Sequence, residues 1–128
     1  MKGEEIPEIT CFEKQKSPGG LWNYSWRVGV DEFGEPCHSS MYQQLFSNAP
    51  KEVLEYPDYT FMDHFKKPTG SFPPRESLHG YILSRYNKYQ CDDWVKENSA
   101  VKRVTFDDNT QKFTVKYKDM DKEQKEHA

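Results

Sequence analysis

The chain has 128 residues, which bounds it to one domain, and its formal charge of −3 is spread over interspersed acids and bases with no Lys/Arg stripe of the kind a nucleic-acid surface shows. With Gly counted and Tyr left out, about a third of the residues are apolar against roughly 45–50% in ordinary globular domains, so the sequence reads as the periphery of a fold rather than its whole core. No apolar run approaches the ~20 residues of a membrane span, and the charged start Met1-Lys2-Gly3-Glu4-Glu5 lacks a signal-peptide core, which together predict a soluble, cytoplasmic chain with no membrane partner.

Residues 1–5 are polar and read as frayed. From Pro7 the chain reads as a strand that runs through Ile9-Thr10-Cys11-Phe12 and stops at Glu13. This is the one segment that comes close to the continuous apolar run of a parallel-sheet strand, and it is expected to stand as an unpaired apolar edge. Residues 14–20 carry the proline and glycine punctuation of a loop, with Pro18, Gly19 and Gly20. Tyr24, Trp26 and Val28 alternate with Ser25 and Arg27, as in a short strand or extended loop, and residues 31–36 form a surface turn. His38 is open to three roles, as metal ligand, catalytic base or packed imidazole. No second His, Cys or acid stands at ligand spacing, which argues against a metal. Ser39 or Ser40 is placed to cap a short helix through Phe46, with Asn48, Ala49 and Pro50 closing it. On spacing alone, Asn48 reads equally well as a helix-ending residue.

Residues 57–72 are aromatic and loop-like, with Tyr59, Phe61, Phe65 and Phe72 broken by Pro57, Pro68 and Gly70, and such a stripe is more often packing than a cofactor box. Pro73-Pro74-Arg75-Glu76 marks a helix start, and Leu78, Tyr81, Ile82, Tyr86 and Tyr89 then fall at helical spacing. Trp94-Val95-Lys96 reads as a short strand. Alternation over residues 99–106 and 112–118, joined by Asp107-Asp108-Asn109-Thr110, predicts a β-hairpin. Residues 119–128 mix both charges around one Met and are expected to bury nothing. Cys11, Cys37 and Cys91 are too few and too irregularly spaced for a disulfide framework or a zinc site and read as buried or inert thiols.

An acid ending a strand is where a dinucleotide-binding fold holds the adenosine ribose, but the fingerprint G-x-G-x-x-G is absent from this sequence, and an isolated strand-end acid such as Glu13 is usually just solvated. Several segments carry more when read together. Residues 19–26, 38–42, 47–50, 73–76 and 98–104, in this order, resemble the flavin-containing monooxygenases, most closely their bacterial trimethylamine monooxygenase branch, over residues 6–117. The resemblance implies an α/β fold: a partial FAD-binding domain of a flavoprotein with two dinucleotide-binding domains, with the first βα unit missing and a β-hairpin near the C-terminus. Residues 1–118 would belong to that domain and 119–128 would be a charged tail at a truncation point.

The same resemblance implies FAD and NADP as cofactors and assigns residues to them. Glu13 and Gln15 would contact the adenosine half of FAD, Leu21 and Trp22 would lie along it, His38 would touch it, and the backbone of Val101 would meet the adenine. Asn48 would be the active-site residue, set against the reactive edge of the flavin and the nicotinamide. An amide suits that place because it both donates and accepts a hydrogen bond and does not titrate. Phe46 would contact NADP, although this branch usually carries Trp there. The implied reaction is the NADPH-dependent N-oxygenation of small tertiary amines such as trimethylamine by oxygen, through a C4a-hydroperoxyflavin. The chain alone would be inactive, and the full-length enzyme is a candidate homodimer. Two rival readings stand beside this one: a non-catalytic remnant or interaction module in which the same residues only pack, and one half of a split flavoprotein.

Overall fold

A computed structural model describes residues 7–37 and 41–122. The expectations for residues 1–5, for His38, for a cap at Ser39 or Ser40, and for residues 123–128 lie outside the described residues. Contacts divide the chain into two units, Met1–Ser17 with Cys91–Ala128, and Pro18–Gln90.

In the first unit, strand β1 (Cys11–Phe12) lies parallel to β2 (Val95–Lys96), with Cys11 opposite Val95 and Phe12 opposite Lys96. The Cys11 amide donates to the Trp94 carbonyl at 2.7 Å and the Glu13 amide to that of Lys96 at 3.0 Å. The apolar run is therefore not an unpaired edge, because β2 supplies partners for its backbone. It is also shorter than the sequence suggested, with Ile9 left 47% exposed ahead of β1. Past β2 the chain turns at Asn98, which takes a positive φ of 51°. The amides of Asn98 and Ser99 then donate to the carbonyls of Gln15 (3.1 Å) and Glu13 (2.8 Å).

The predicted hairpin is present as β3 (Ser99–Asp107) and β4 (Lys112–Asp119), antiparallel, with Val104 opposite Val115 and Phe106 opposite Phe113. Its turn follows from side-chain chemistry: Asp107 Oδ1 accepts from the amides of Asn109 (2.9 Å) and Thr110 (3.4 Å). A register shift between Val101 and Arg103 bends the ladder. At the base of the hairpin Ser99, Ala100 and Met120 are buried, and the Phe12 and Tyr117 rings lie 4.7 Å apart. Met120 corrects the expectation that residues after 118 bury nothing. Its amide donates to the Asn98 carbonyl and it is only 1% exposed, so its long, unbranched apolar side chain plugs the base of the hairpin. The thiols are free, but none of the three is buried and Cys11 is exposed.

The second unit is built on helices α1 (Phe61–Phe65) and α2 (Arg75–Lys88). Helix α2 matches the predicted stripe: Leu78 and Tyr81 are buried and Ile82 packs beside them, while Tyr89, past the helix end, is 41% exposed. They close on Tyr59 and Phe61 to form the core of this unit, with Trp22, Leu54, Tyr56 and Phe65 around it. Full burial of a side chain the size of Leu78 or Phe61 is worth about 1.5–3 kcal/mol.

Two local expectations fail here. Residues 57–72 contain a helix, because Thr60 and Asp63 form a reciprocal capping box over α1, which ends at Lys66 in the left-handed region, two residues before Pro68. The helix expected to end at Phe46 does not form over the described residues 41–46. Their backbone groups are taken by the segment ahead of α2: Phe46 bridges Pro74, the Ser47 amide donates to the Pro73 carbonyl at 2.9 Å, and the Arg75 amide donates to that of Leu45 at 2.8 Å.

Candidate functional site

Three of the assigned residues lie in the first unit. Glu13 follows β1 at the carboxyl end of the parallel pair, and its Oε1 accepts from the Gln15 amide at 2.8 Å. That bond fixes the carboxylate at the strand end, and its second oxygen has no hydrogen-bond partner among the described residues. Gln15 is half-buried beside it, with its carbonyl engaged by Asn98. Nearby, burial and then the charges of Asp92, Glu13 and Asp121 push the Glu97 carboxyl above its ordinary range. Val101 sits in β3 opposite Tyr117, just before the register shift, with its side chain 44% exposed.

The other described residues of the assignment lie in the second unit. Gly19, at φ 118°, opens a single helical turn over Gly20–Trp22. Leu21 is 61% exposed on this turn, whereas Trp22 packs against the core cluster. Phe46 is exposed and paired through its backbone to Pro74. Ser47 is buried, and its hydroxyl donates to the Ala49 carbonyl at 2.7 Å while accepting from the Ala49 amide at 3.2 Å. This closes a tight loop over Asn48, whose side chain is exposed and makes no hydrogen bond among the described residues. Gly19–Trp22 and the 43–47 segment meet at one further side chain that the sequence did not single out. Arg75, the first residue of α2, reaches the carbonyls of both Trp22 and Gln43.

In each unit the assigned residues suit part of a dinucleotide better than a metal. A strand-end carboxylate with an uncommitted oxygen suits ribose hydroxyls, and an unspent amide on a pinned loop suits a polar heteroaromatic edge. Among the described residues no three His, Cys, Asp or Glu side chains stand close enough to hold a metal ion.

The chain belongs to the flavin-binding monooxygenase-like family, whose profile matches residues 3–126. The trimethylamine monooxygenase of Methylocella silvestris is 53% identical over 123 residues, which is 96% of this chain and 27% of that protein. The trimethylamine monooxygenase of Roseovarius nubinhibens is 55% identical over 114 residues, covering 89% of this chain and 26% of that one. The crystal structure of Tmm from Pelagibacter sp. strain HTCC7211 matches with a TM-score of 0.86 at 50% identity, over 94% of this chain and 27% of that chain. The chain thus spans about a quarter of the length of the relatives it matches. Family and fold class are those the sequence implied. No helix among the described residues is long and apolar enough to cross a membrane.

Proposed function

We propose that this chain is part of the FAD-binding domain, residues 1–118, of an NADPH-dependent flavin monooxygenase that N-oxygenates small tertiary amines such as trimethylamine. Bound FAD, reduced by NADPH and combined with oxygen as the C4a-hydroperoxide, would supply the reactivity. The protein's own part is to bind, orient and exclude water.

Glu13 accepts the adenosine ribose hydroxyls, one carboxylate oxygen being held in place by the Gln15 amide and the other left to receive them. Gln15 and the Val101 backbone flank the adenosine, Leu21 and Trp22 line the cofactor, and Phe46 meets the nicotinamide. His38 belongs to the same set by resemblance. Asn48 faces the reacting edge. The observation that carries the reading is the loop at 47–49, where a buried hydroxyl bonded to both polar groups of Ala49 presents an unspent, non-titrating amide. The enzyme is cytoplasmic, and a homodimer in its full-length form.

The experiment is to replace Asn48 with Ala or Asp in the full-length enzyme. Amine oxygenation should fall to background while FAD remains bound at one per chain, seen in the visible spectrum. Normal oxygenation by either variant would remove Asn48 from the reaction.

A further inference from the structure

We infer that Arg75 is the positioning residue that holds the Gly20–Trp22 turn and the segment leading to Asn48 in one fixed relation, so that both address the same bound cofactor. The inference rests on the flavin-binding reading above, and three observations carry it.

The first is the place of Arg75. It opens α2, and a cation at a helix N-terminus opposes the helix dipole. Arg75 is also buried, with its side chain only 10% exposed, so its charge gives up hydration as well. Two unfavourable terms at one residue call for compensation by whatever surrounds it.

The second is what compensates. Nη1 donates to the Trp22 carbonyl at 3.4 Å, Nε to the Gln43 carbonyl at 3.3 Å, and Nη2 to the Glu76 carboxylate at 3.2 Å. The guanidinium carbon lies 5.1 Å from the centre of the Tyr24 ring, and the Arg75 amide donates to the Leu45 carbonyl. One residue thus joins three stretches of chain far apart in sequence, its planar fork reaching 22–24, Gln43 and the start of α2 and its backbone amide reaching Leu45.

The third is what those stretches carry. The first holds Leu21 and Trp22, and the second runs through Phe46 and Ser47 to Asn48. Neither stretch is a regular element long enough to hold its own shape, and the 3.3–3.4 Å bonds tie them through their backbones, where no side-chain substitution would otherwise reach. A lysine ammonium is a point charge and cannot reproduce two divergent carbonyl contacts from one plane.

The test compares Arg75→Lys with Leu78→Ala, a purely packing change, in the full-length enzyme. Three quantities are read: the thermal midpoint, the position and intensity of the bound-flavin absorption bands, and the amine oxide formed per NADPH consumed at saturating FAD. Arg75→Lys should displace the flavin bands and lower the product-to-NADPH ratio about fivefold, the factor corresponding to roughly one lost hydrogen bond. Leu78→Ala should lower the midpoint further than Arg75→Lys, with bands and ratio unchanged per bound flavin. If Arg75→Lys does not fold, Tyr24→Leu, which removes the ring beneath the guanidinium, should shift bands and ratio in the same direction by a smaller factor. Unchanged bands and ratio in the folded variant, or equal changes in Leu78→Ala, overturn the inference and leave the flavin reading standing. A wild-type enzyme that binds no FAD overturns both.

Discussion

Replacing Tyr81 with Phe removes one oxygen from the centre of the second unit and tests how that core is held. Tyr81 is fully buried, its ring stacked on Phe61 at 4.1 Å, Tyr59 at 5.5 Å and Tyr56 at 5.6 Å, and its hydroxyl serves two backbone groups at once. It donates to the Tyr59 carbonyl and accepts from the Tyr56 amide at 2.9 Å. Burial pushes the phenol above its ordinary value of 10.0, so it stays a donor throughout the working pH range. Phe keeps the stacking and leaves both backbone groups unmet. Each such group costs about 1–3 kcal/mol when buried, and Tyr56 is only half-buried, so the sum is about 2–3 kcal/mol. For a chain of this size that lowers Tm by about 10 °C.

Tyr59→Phe is the matched control. It deletes a hydroxyl bonded to Ser84 Oγ at 2.6 Å, where the partner is only half-buried, and should cost under about 1 kcal/mol. Thermal unfolding and urea midpoints of the two variants, with hydrogen exchange at the Tyr56 amide, decide the matter. Equal losses for both, or a Tyr81→Phe midpoint close to wild type, would refute the claim that this hydroxyl pins residues 56–59 to α2.

Three other outcomes are expected. Glu13→Ala in the full-length enzyme should weaken FAD binding at least tenfold, since a hydrogen bond to a charged group is worth about 1.5–3 kcal/mol; unchanged affinity by titration would make Glu13 a solvated strand end. Gly19→Ala should destabilise by more than about 1 kcal/mol, because φ there is 118° and the new Cβ would meet His79 Nε2 at 2.6 Å. Adding His79→Ala should recover the collision but not the backbone strain, which a double-mutant cycle separates. Burial holds the His64 imidazole below its ordinary 6.5, so the unfolded chain takes up the proton first and stability should fall as pH drops below 6.5. Melts from pH 8 to 5 should show that slope in the wild type and a flatter profile in His64→Asn.

The parts legible in the sequence are those whose cause is local. Helix α2 announces itself by prolines ahead of a Leu78-Tyr81-Ile82 stripe, and the hairpin by alternation around an Asp107 whose carboxylate builds its own turn. Helix α1 was equally local, since Thr60 and Asp63 stand at capping-box spacing, but five residues between prolines give no period to read. The rest depends on partners distant in the chain. Residues 41–47 carry helix-like spacing, yet Pro73, Pro74 and Arg75 claim their backbone, and β1 finds its partner at Val95. Among the candidate site residues, the roles proposed for Asn48 and Glu13 rest on family resemblance, since spacing alone suits a helix-ending amide and a solvated strand-end acid equally well. Arg75 left one faint trace, a cation at the wrong end of a helix, and Val101 left none because its assigned contacts run through the backbone.

The parallel pairing of β1 with β2 makes everything between Ser17 and Cys91 one large loop, closed by a ladder two residues long. Closing so long a loop in an unfolded chain is an entropic cost that grows only slowly with length, about 0.6 kcal/mol per doubling, and it is offset by those bonds together with the Asn98 and Ser99 amides on Gln15 and Glu13. The ladder is expected to form after the second unit has condensed on α2, since that condensation shortens the loop to be closed. It also tolerates insertions or deletions in the exposed stretch around Trp26 and Val28 far better than any lesion at Cys11 or Val95. Length variation among relatives is accordingly expected to collect in that stretch, while the strand ends stay fixed.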